Sequence, residues 1–331
     1  MKKRALGLAA ALAAVFAFCG AGCKDGKTED IKVYMPDGAP ALALAKLMCE
    51  DKEDDGVRYF VVDPKEIKTK VTYTDLDKNA DLCVLPLTAA TKLLGKGEEY
   101  QMLGAVTHGN LYLLGKGTET YDERNISELS GKTVGVLQLN DVPGVVFKTV
   151  LQKYGLSSSV TLNALTGAGD GGATGAGDVG ATGADYYVLG EPAASAQKAK
   201  GYSIVGNLQT LYGGEDGYPQ AVLVAKRSII EENGEWLTSF VRSVAAGAAW
   251  LETAGGEEIV AAVTAHLEDE GYSTTLKPAL LTAEVLGRCG VRFEQAKDCK
   301  GAATAFLASA REIGAKAVTP DDGFYYTENI L

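Results

Sequence analysis

The feature that most narrows the fold is a short apolar strand that turns at once into a helix, and the chain repeats it. IKVYM leads through Pro36-Asp37-Gly38 into APALALAKLMC, and ADLCVLP leads through Leu87-Thr88 into AATKLL. In each case a β-type run is followed by a capped or proline-started helix. That alternation defines an α/β protein. A second, smaller α/β unit starts at GKTVGVLQLN, enters the helix VPGVVFKTVLQKYG, and continues through VTLNAL, DYYVLG, the helix EPAASAQKAK and YSIVGN. After YPQAVLVA the remainder reads as helical. Leu237, Phe240, Val241, Val244, Ala248 and Leu251 share one helix face, and further helices fit residues 256 to 268, 277 to 287 and 300 to 313.

The N-terminus has a different character. Met-Lys-Lys-Arg precedes about 14 mostly apolar residues, Ala5 to Phe18, a length that suits a secretory signal. A membrane span would need about 20. Gly20, Ala21 and Gly22, directly before Cys23, resemble the lipobox of bacterial lipoproteins, with Gly20 standing where that pattern usually has Leu. Residues 1–22 therefore read as a signal peptide, Cys23 as the lipidated residue and 23–30 as a tether; Cys19 is cut away. An ordinary secretory signal with an incidental cysteine is the alternative. Removing residues 1–22 takes away Lys2, Lys3 and Arg4 and no acid, so the formal charge moves from −11 to −14. Nucleic acid and anionic lipid surfaces are poor partners for such a body. After Cys23 no apolar run is long enough to cross a bilayer.

Four cysteines remain besides Cys23. An exported chain permits two disulfides, with Cys289 and Cys299 the local candidate pair, while buried free thiols are the alternative for Cys49 and Cys83. There is no Cys-x-x-Cys, and His108 and His266 are isolated, so no metal site is expected. GAGDGGATGAGDVGATGAD repeats with a period of eight and twice satisfies the Gly-x-Gly-x-x-Gly fingerprint of dinucleotide binding. More Gly, Ala and Thr follow where a helix should start, and that composition is too costly in backbone entropy to form one. Asp170 and Asp178 do not follow the nonapeptide calcium repeat. Residues 167–184 read as a glycine-rich surface insertion. No Gly-x-Ser-x-Gly, His-Glu-x-x-His or Walker A motif is present, and no cofactor is expected.

In their order, IKVYMPDGAPALALAKLM, ADLCVLPLTAATKLL, LSGKTVGVLQLNDVPGVVFKTVLQKYGL, DYYVLGEPAASAQKAKG and YPQAVLVAKRSIIEENGEWLTSFV resemble the bacterial ABC-transporter solute-binding lipoproteins of the nitrate, taurine, sulfonate and thiamine-precursor group. The resemblance spans roughly residues 30 to 250. It implies a type II periplasmic-binding-protein fold, two α/β lobes joined by two crossing strands: lobe I from 31–116 and 221–331, lobe II from 117–220. It also implies that a monomer, held outside the cytoplasmic membrane through Cys23, takes a small-molecule solute into the cleft and hands it to an ABC permease. The family's cleft loops fall on Asp37, Gly38 and Ala39; on Leu87, Thr88 and Ala89; on His108 and Asn110; on Gln138, Asn140 and Asp141; on Glu191; and on Tyr218. Thr88 can instead cap its helix, and of Tyr186 and Tyr187 at most one can face the cleft. These loops hold no Lys or Arg, which disfavours free amino acids and leaves an anion at helix N-termini or a flat heterocycle against tyrosines. Two other classes stay open: a lyase-like enzyme on the same fold, with Glu191 or Asp37 as its acid or base, and a ligand-sensing lipoprotein.

Overall fold

The computed structural model describes residues 30–52, 55–165, 179–214 and 217–331. The signal segment, Cys23, most of the tether and residues 167–178 of the glycine-rich stretch lie outside the described residues, as do Asp170 and Asp178.

The chain begins with β1 (Ile31–Pro36), α1 (Ala39–Glu50), β2 (Val57–Val62), β3 (Leu82–Pro86), α2 (Leu87–Leu94) and β4 (Tyr100–His108). It then crosses to β5 (Leu111–Gly115), β6 (Thr133–Leu137), α3 (Val142–Lys153), β7 (Thr161–Leu165), β8 (Tyr186–Gly190), α4 (Ala193–Ala196), β9 (Ser203–Asn207) and α5 (Leu208–Tyr212). It returns through β10 (Pro219–Lys226) to α6 (Arg227–Glu232), α7 (Gly234–Leu251), α8 (Gly256–Ala265), α9 (Ala283–Arg288), β11 (Val291–Gln295) and α10 (Ala296–Glu312). The first sheet has the order β11-β4-β10-β3-β1-β2 and the second β7-β6-β8-β5-β9. In the first, β1 is parallel to β2 and β3 while β10 and β11 run antiparallel to their neighbours; in the second, β6 is parallel to β7 and β8 and β5 is antiparallel to β8 and β9.

Strand alternation explains why both sheets are covered on both faces. Val33 and Met35 of β1, with Leu82 and Val84 of β3, pack on one side against α1, α7, α8 and α9; Tyr34, Cys83 and Leu85 point the other way, toward α2 and α10. That second core runs on without a break into the second sheet, where it takes in Leu113, Val134 and Val136 with α3 and α5. Tyr112, Leu114, Tyr187 and Leu189 form a third core on the outer face of the second sheet. The result is the two-lobed α/β fold.

Four expectations need adjustment. The part after β10 is not wholly helical, because VRFEQ forms β11 on the edge of the first sheet. EPAASAQKAK gives only α4 and a following 3-10 turn. The crossing to the second sheet lies at Gly109-Asn110, earlier than residue 116, since Leu111–Gly115 is hydrogen-bonded between β8 and β9. Finally, Cys49, Cys83, Cys289 and Cys299 are all free thiols. Burial pushes the Cys299 thiol up to about 12, and Cys83 and Cys289 higher still, so none of these three is a ready nucleophile.

The two crossings are tied to each other. Gly109 N–H donates to the Tyr218 carbonyl at 2.9 Å, and Leu111 N–H donates to Gln209 Oε1 at 2.8 Å. Gly290 closes the same region: His108 N–H donates to its carbonyl at 2.8 Å.

Candidate functional site

The carboxyl ends of β1, β3, β6 and β8 all face the gap between the lobes, the position where open α/β sheets hold ligands. The gap is a cleft with about 980 Å³ of empty space including its mouth. Of the residues expected there, Asp37, Gly38, Ala39, Asn110, Gln138, Asp141 and Glu191 line it. Gln220, Lys68 and Thr275 join them.

The cleft is rich in helix N-termini that no side chain caps. α1 begins at Gly38 and α3 at Asp141 without a capping hydrogen bond, so free N–H groups point toward the cleft. Two non-glycine residues on its wall have positive φ, Asn110 at 90° and Gln138 at 51°. Such backbone costs about 1–3 kcal/mol and persists where the surroundings enforce it, often at functional sites. Asn110 Oδ1 and Gln220 Oε1 are buried without a hydrogen-bond partner among the described residues, which leaves two oriented amide oxygens for a ligand to meet.

The cleft carboxylates are already engaged. Asp37 accepts from Thr274 Oγ1 at 2.7 Å, Thr275 N–H at 2.7 Å, Thr275 Oγ1 at 2.8 Å and Tyr272 O–H at 3.1 Å, which clamps the 272–275 segment onto the cleft wall. Burial, and then this carboxylate, hold the Tyr272 hydroxyl well above the ordinary tyrosine range. Glu191 accepts from Ser195 N–H and Oγ, both at 2.9 Å, and from Arg288 Nε at 2.7 Å. Arg288 sits at the end of α9 on the first lobe, so this pair spans the lobes. Lys68 Nζ likewise reaches Asp141 across the cleft, at 3.0 and 2.9 Å to its two oxygens.

The remaining sequence candidates stand elsewhere. Leu87 is core, and Thr88, Ala89 and Asn140 line a neighbouring cavity. Thr88 does not cap α2, whose N-cap is Pro86. Tyr218 is buried, stacked on Phe306 with 5.5 Å between ring centroids, and its hydroxyl donates to Gln209 Oε1 at 3.3 Å. Tyr186 and Tyr187 both pack inside, the first bonded to Tyr121 Oη at 2.7 Å and the second to the Ala184 carbonyl at 2.8 Å. The aromatic cleft wall on which the heterocycle argument rested is therefore missing. The expectation of a cleft without Lys or Arg also fails, because Lys68 comes from a 3-10 turn, Ile67–Val71, that carries no motif. Thr275 gives no signal either. Among the described residues no group of three or more His, Cys, Asp or Glu could hold a metal, and no helix is long and apolar enough to cross a membrane.

His108 belongs to the hinge. Its Nε2 lies 2.9 Å from Glu294 Oε2, a contact that a neutral ring satisfies by donating. Burial, and then Arg292, lower its pKa to about 3. The unfolded ring takes up a proton near pH 6.5 and the folded ring does not until about pH 3, so stability falls as pH drops through this window. In urea titrations His108→Gln is expected to flatten that fall between pH 6.5 and about 5, where most carboxylates are still ionised. An unchanged slope would contradict the assignment.

No family model matches the chain, and no curated protein matches it. Solved structures do. An ABC transporter structure from Parabacteroides distasonis is 21% identical, with a TM-score of 0.68, over 91% of this chain and 100% of that one. The alkanesulfonate-binding protein SsuA from Xanthomonas axonopodis pv. citri, bound to MOPS, is 14% identical, with a TM-score of 0.60, over 89% and 96%. The periplasmic nitrate-binding protein NrtA from Synechocystis is 9% identical, with a TM-score of 0.58, over 87% and 82%. At such identities the likeness is one of fold, and this chain has the fold of the periplasmic binding proteins.

Proposed function

We propose that this chain is the extracytoplasmic solute-binding component of an ABC importer, closing two lobes over a small organic solute or anion and delivering it to a membrane permease. The observation that carries the reading is the cleft: uncapped helix N-termini from both lobes face it, and buried amide oxygens at the crossing are left without partners. Fold neighbours named for sulfonate and nitrate binding support it. Export, a lipid anchor at Cys23 and a monomeric state belong to the same reading. Gly38, Ala39, Asn110, Gln138, Asp141 and Gln220 are the proposed contacts, with Lys68 the cationic residue among those that line the cleft. Binding without turnover is supported because Asp37 and Glu191, the carboxylates an enzyme would need, are held by four and three hydrogen bonds from the protein itself.

A thermal-shift screen of sulfonates, nitrate, pyrimidines, flavins and amino acids tests this. One chemical class is expected to stabilise the protein, by about 2.7 kcal/mol at a free concentration a hundred times the dissociation constant. Ala193→Trp, a partly exposed position on the cleft wall, should abolish the shift and leave the ligand-free melting temperature nearly unchanged. No hit in any class, or recovery of a chemically altered ligand, would overturn the reading.

A further inference from the structure

The Lys68–Asp141 pair is shared between the cleft and a second cavity, which has about 1340 Å³ of empty space including its mouth. Both lobes and the segment that follows α10 line it. Its charge is unlike that of the rest of the molecule. Lys68, Lys92, Lys148 and Lys316 face a single carboxylate there, Asp141, and Lys68 already pairs with it, in a chain whose net charge is −11. Among the described residues Lys148 Nζ reaches only the Leu139 carbonyl, at 3.4 Å. No ion pair among the described residues includes Lys92 or Lys316. Gathering unpaired ammonium groups around one concavity raises the potential there, and a low-dielectric wall focuses it. A second observation points the same way: Thr88 Oγ1, on the wall of this cavity, is buried with no hydrogen-bond partner among the described residues.

We propose that this cavity is an anion-binding site, distinct from the cleft, for a soluble oxyanion that carries two or more negative charges, such as a phosphate or pyrophosphate group. Lysines act as mobile point charges without the planar fork of arginine, so the site selects for charge more than for shape. The lysines come from both lobes, Lys68 and Lys92 from the first and Lys148 from the second, so a bound anion draws the lobes together. It also competes with Asp141 for Lys68, which links the cavity to the cleft. The proposal goes beyond the importer reading and does not rest on it.

Calorimetric titration of the purified protein with sodium pyrophosphate, at fixed ionic strength, is the test. One saturable site is expected, and the double variant K92Q/K316Q should weaken it by about tenfold or more. Both lysines are exposed and make no ion pair among the described residues, so the double variant should melt where the parent does. No saturable binding, or equal affinity in parent and variant, overturns the proposal. Vesicles of equal parts phosphatidylglycerol and phosphatidylcholine separate the two sources of phosphate. Vesicle retention that excess pyrophosphate does not reverse means a lipid surface is the partner, and also overturns it. A cleft ligand found in the thermal-shift screen without a pyrophosphate site would sink this proposal alone.

Discussion

Gly290→Ala is expected to destabilise the protein by about 4 kcal/mol, near the upper end of what single substitutions do. Gly290 has φ +65°, and a methyl group built there would lie 2.0 Å from the His108 carbonyl oxygen, which is backbone and has no rotamer by which to move away. The left-handed conformation alone costs an alanine about 1–2 kcal/mol; the larger part comes from forcing β11 off β4 at the hinge, where His108 N–H donates to Gly290. Gly314 supplies the control. It has φ +75° but nothing within 4 Å of the added methyl, so Gly314→Ala should cost only the conformational term. Urea unfolding of the two variants decides the matter: equal losses would mean that crowding at the hinge contributes nothing.

How far the sequence could be read depended on whether a signal was local. The turns after β1, β3, β6 and β8 were legible because a parallel strand that enters a helix must put its carboxyl end beside that helix's N-terminus, and Asp37, Gln138 and Glu191 occupy such turns. Lys68 was not, since a 3-10 turn without periodicity reaches the cleft only through packing of the whole lobe. Arg288 carried no signal, since it stands one residue past the helix fitted to 277–287 and ends α9 as any basic residue of a last turn would. β11 escaped notice because VRFEQ is half polar, as an edge strand can be. The tyrosines misled for a different reason. Alternation separates buried from exposed only when one face meets water, and here Tyr186 and Tyr187 point into two different cores.

Loss of the Arg288 guanidinium is expected to weaken the packing of the two lobes against each other by about 3 kcal/mol, because it strands a buried carboxylate without its charged partner. The Glu191 side chain is 0% exposed and that of Arg288 20%. Besides Glu191, Arg288 holds Ser195 Oγ at 2.8 Å and pairs with Glu284 on its own helix. The cost has a ceiling, for Glu191 regains solvent once the lobes part, so opening limits it. Arg288→Ala should therefore enlarge the radius of gyration measured by X-ray scattering and leave each lobe's own packing in place. The other inter-lobe pair behaves differently. Lys68 and Asp141 are 42% and 28% exposed, and a pair so hydrated contributes no more than about 1 kcal/mol, so Lys68→Ala should change the scattering little. Adding Glu191→Gln to an Arg288→Met background should recover most of the loss, because a neutral amide can accept from Ser195 N–H through its oxygen and donate to Ser195 Oγ through its nitrogen, without a buried charge. If Arg288→Ala and Lys68→Ala open the molecule equally, or if the double variant is no more compact than the single one, then burial of Glu191 is not what joins the lobes.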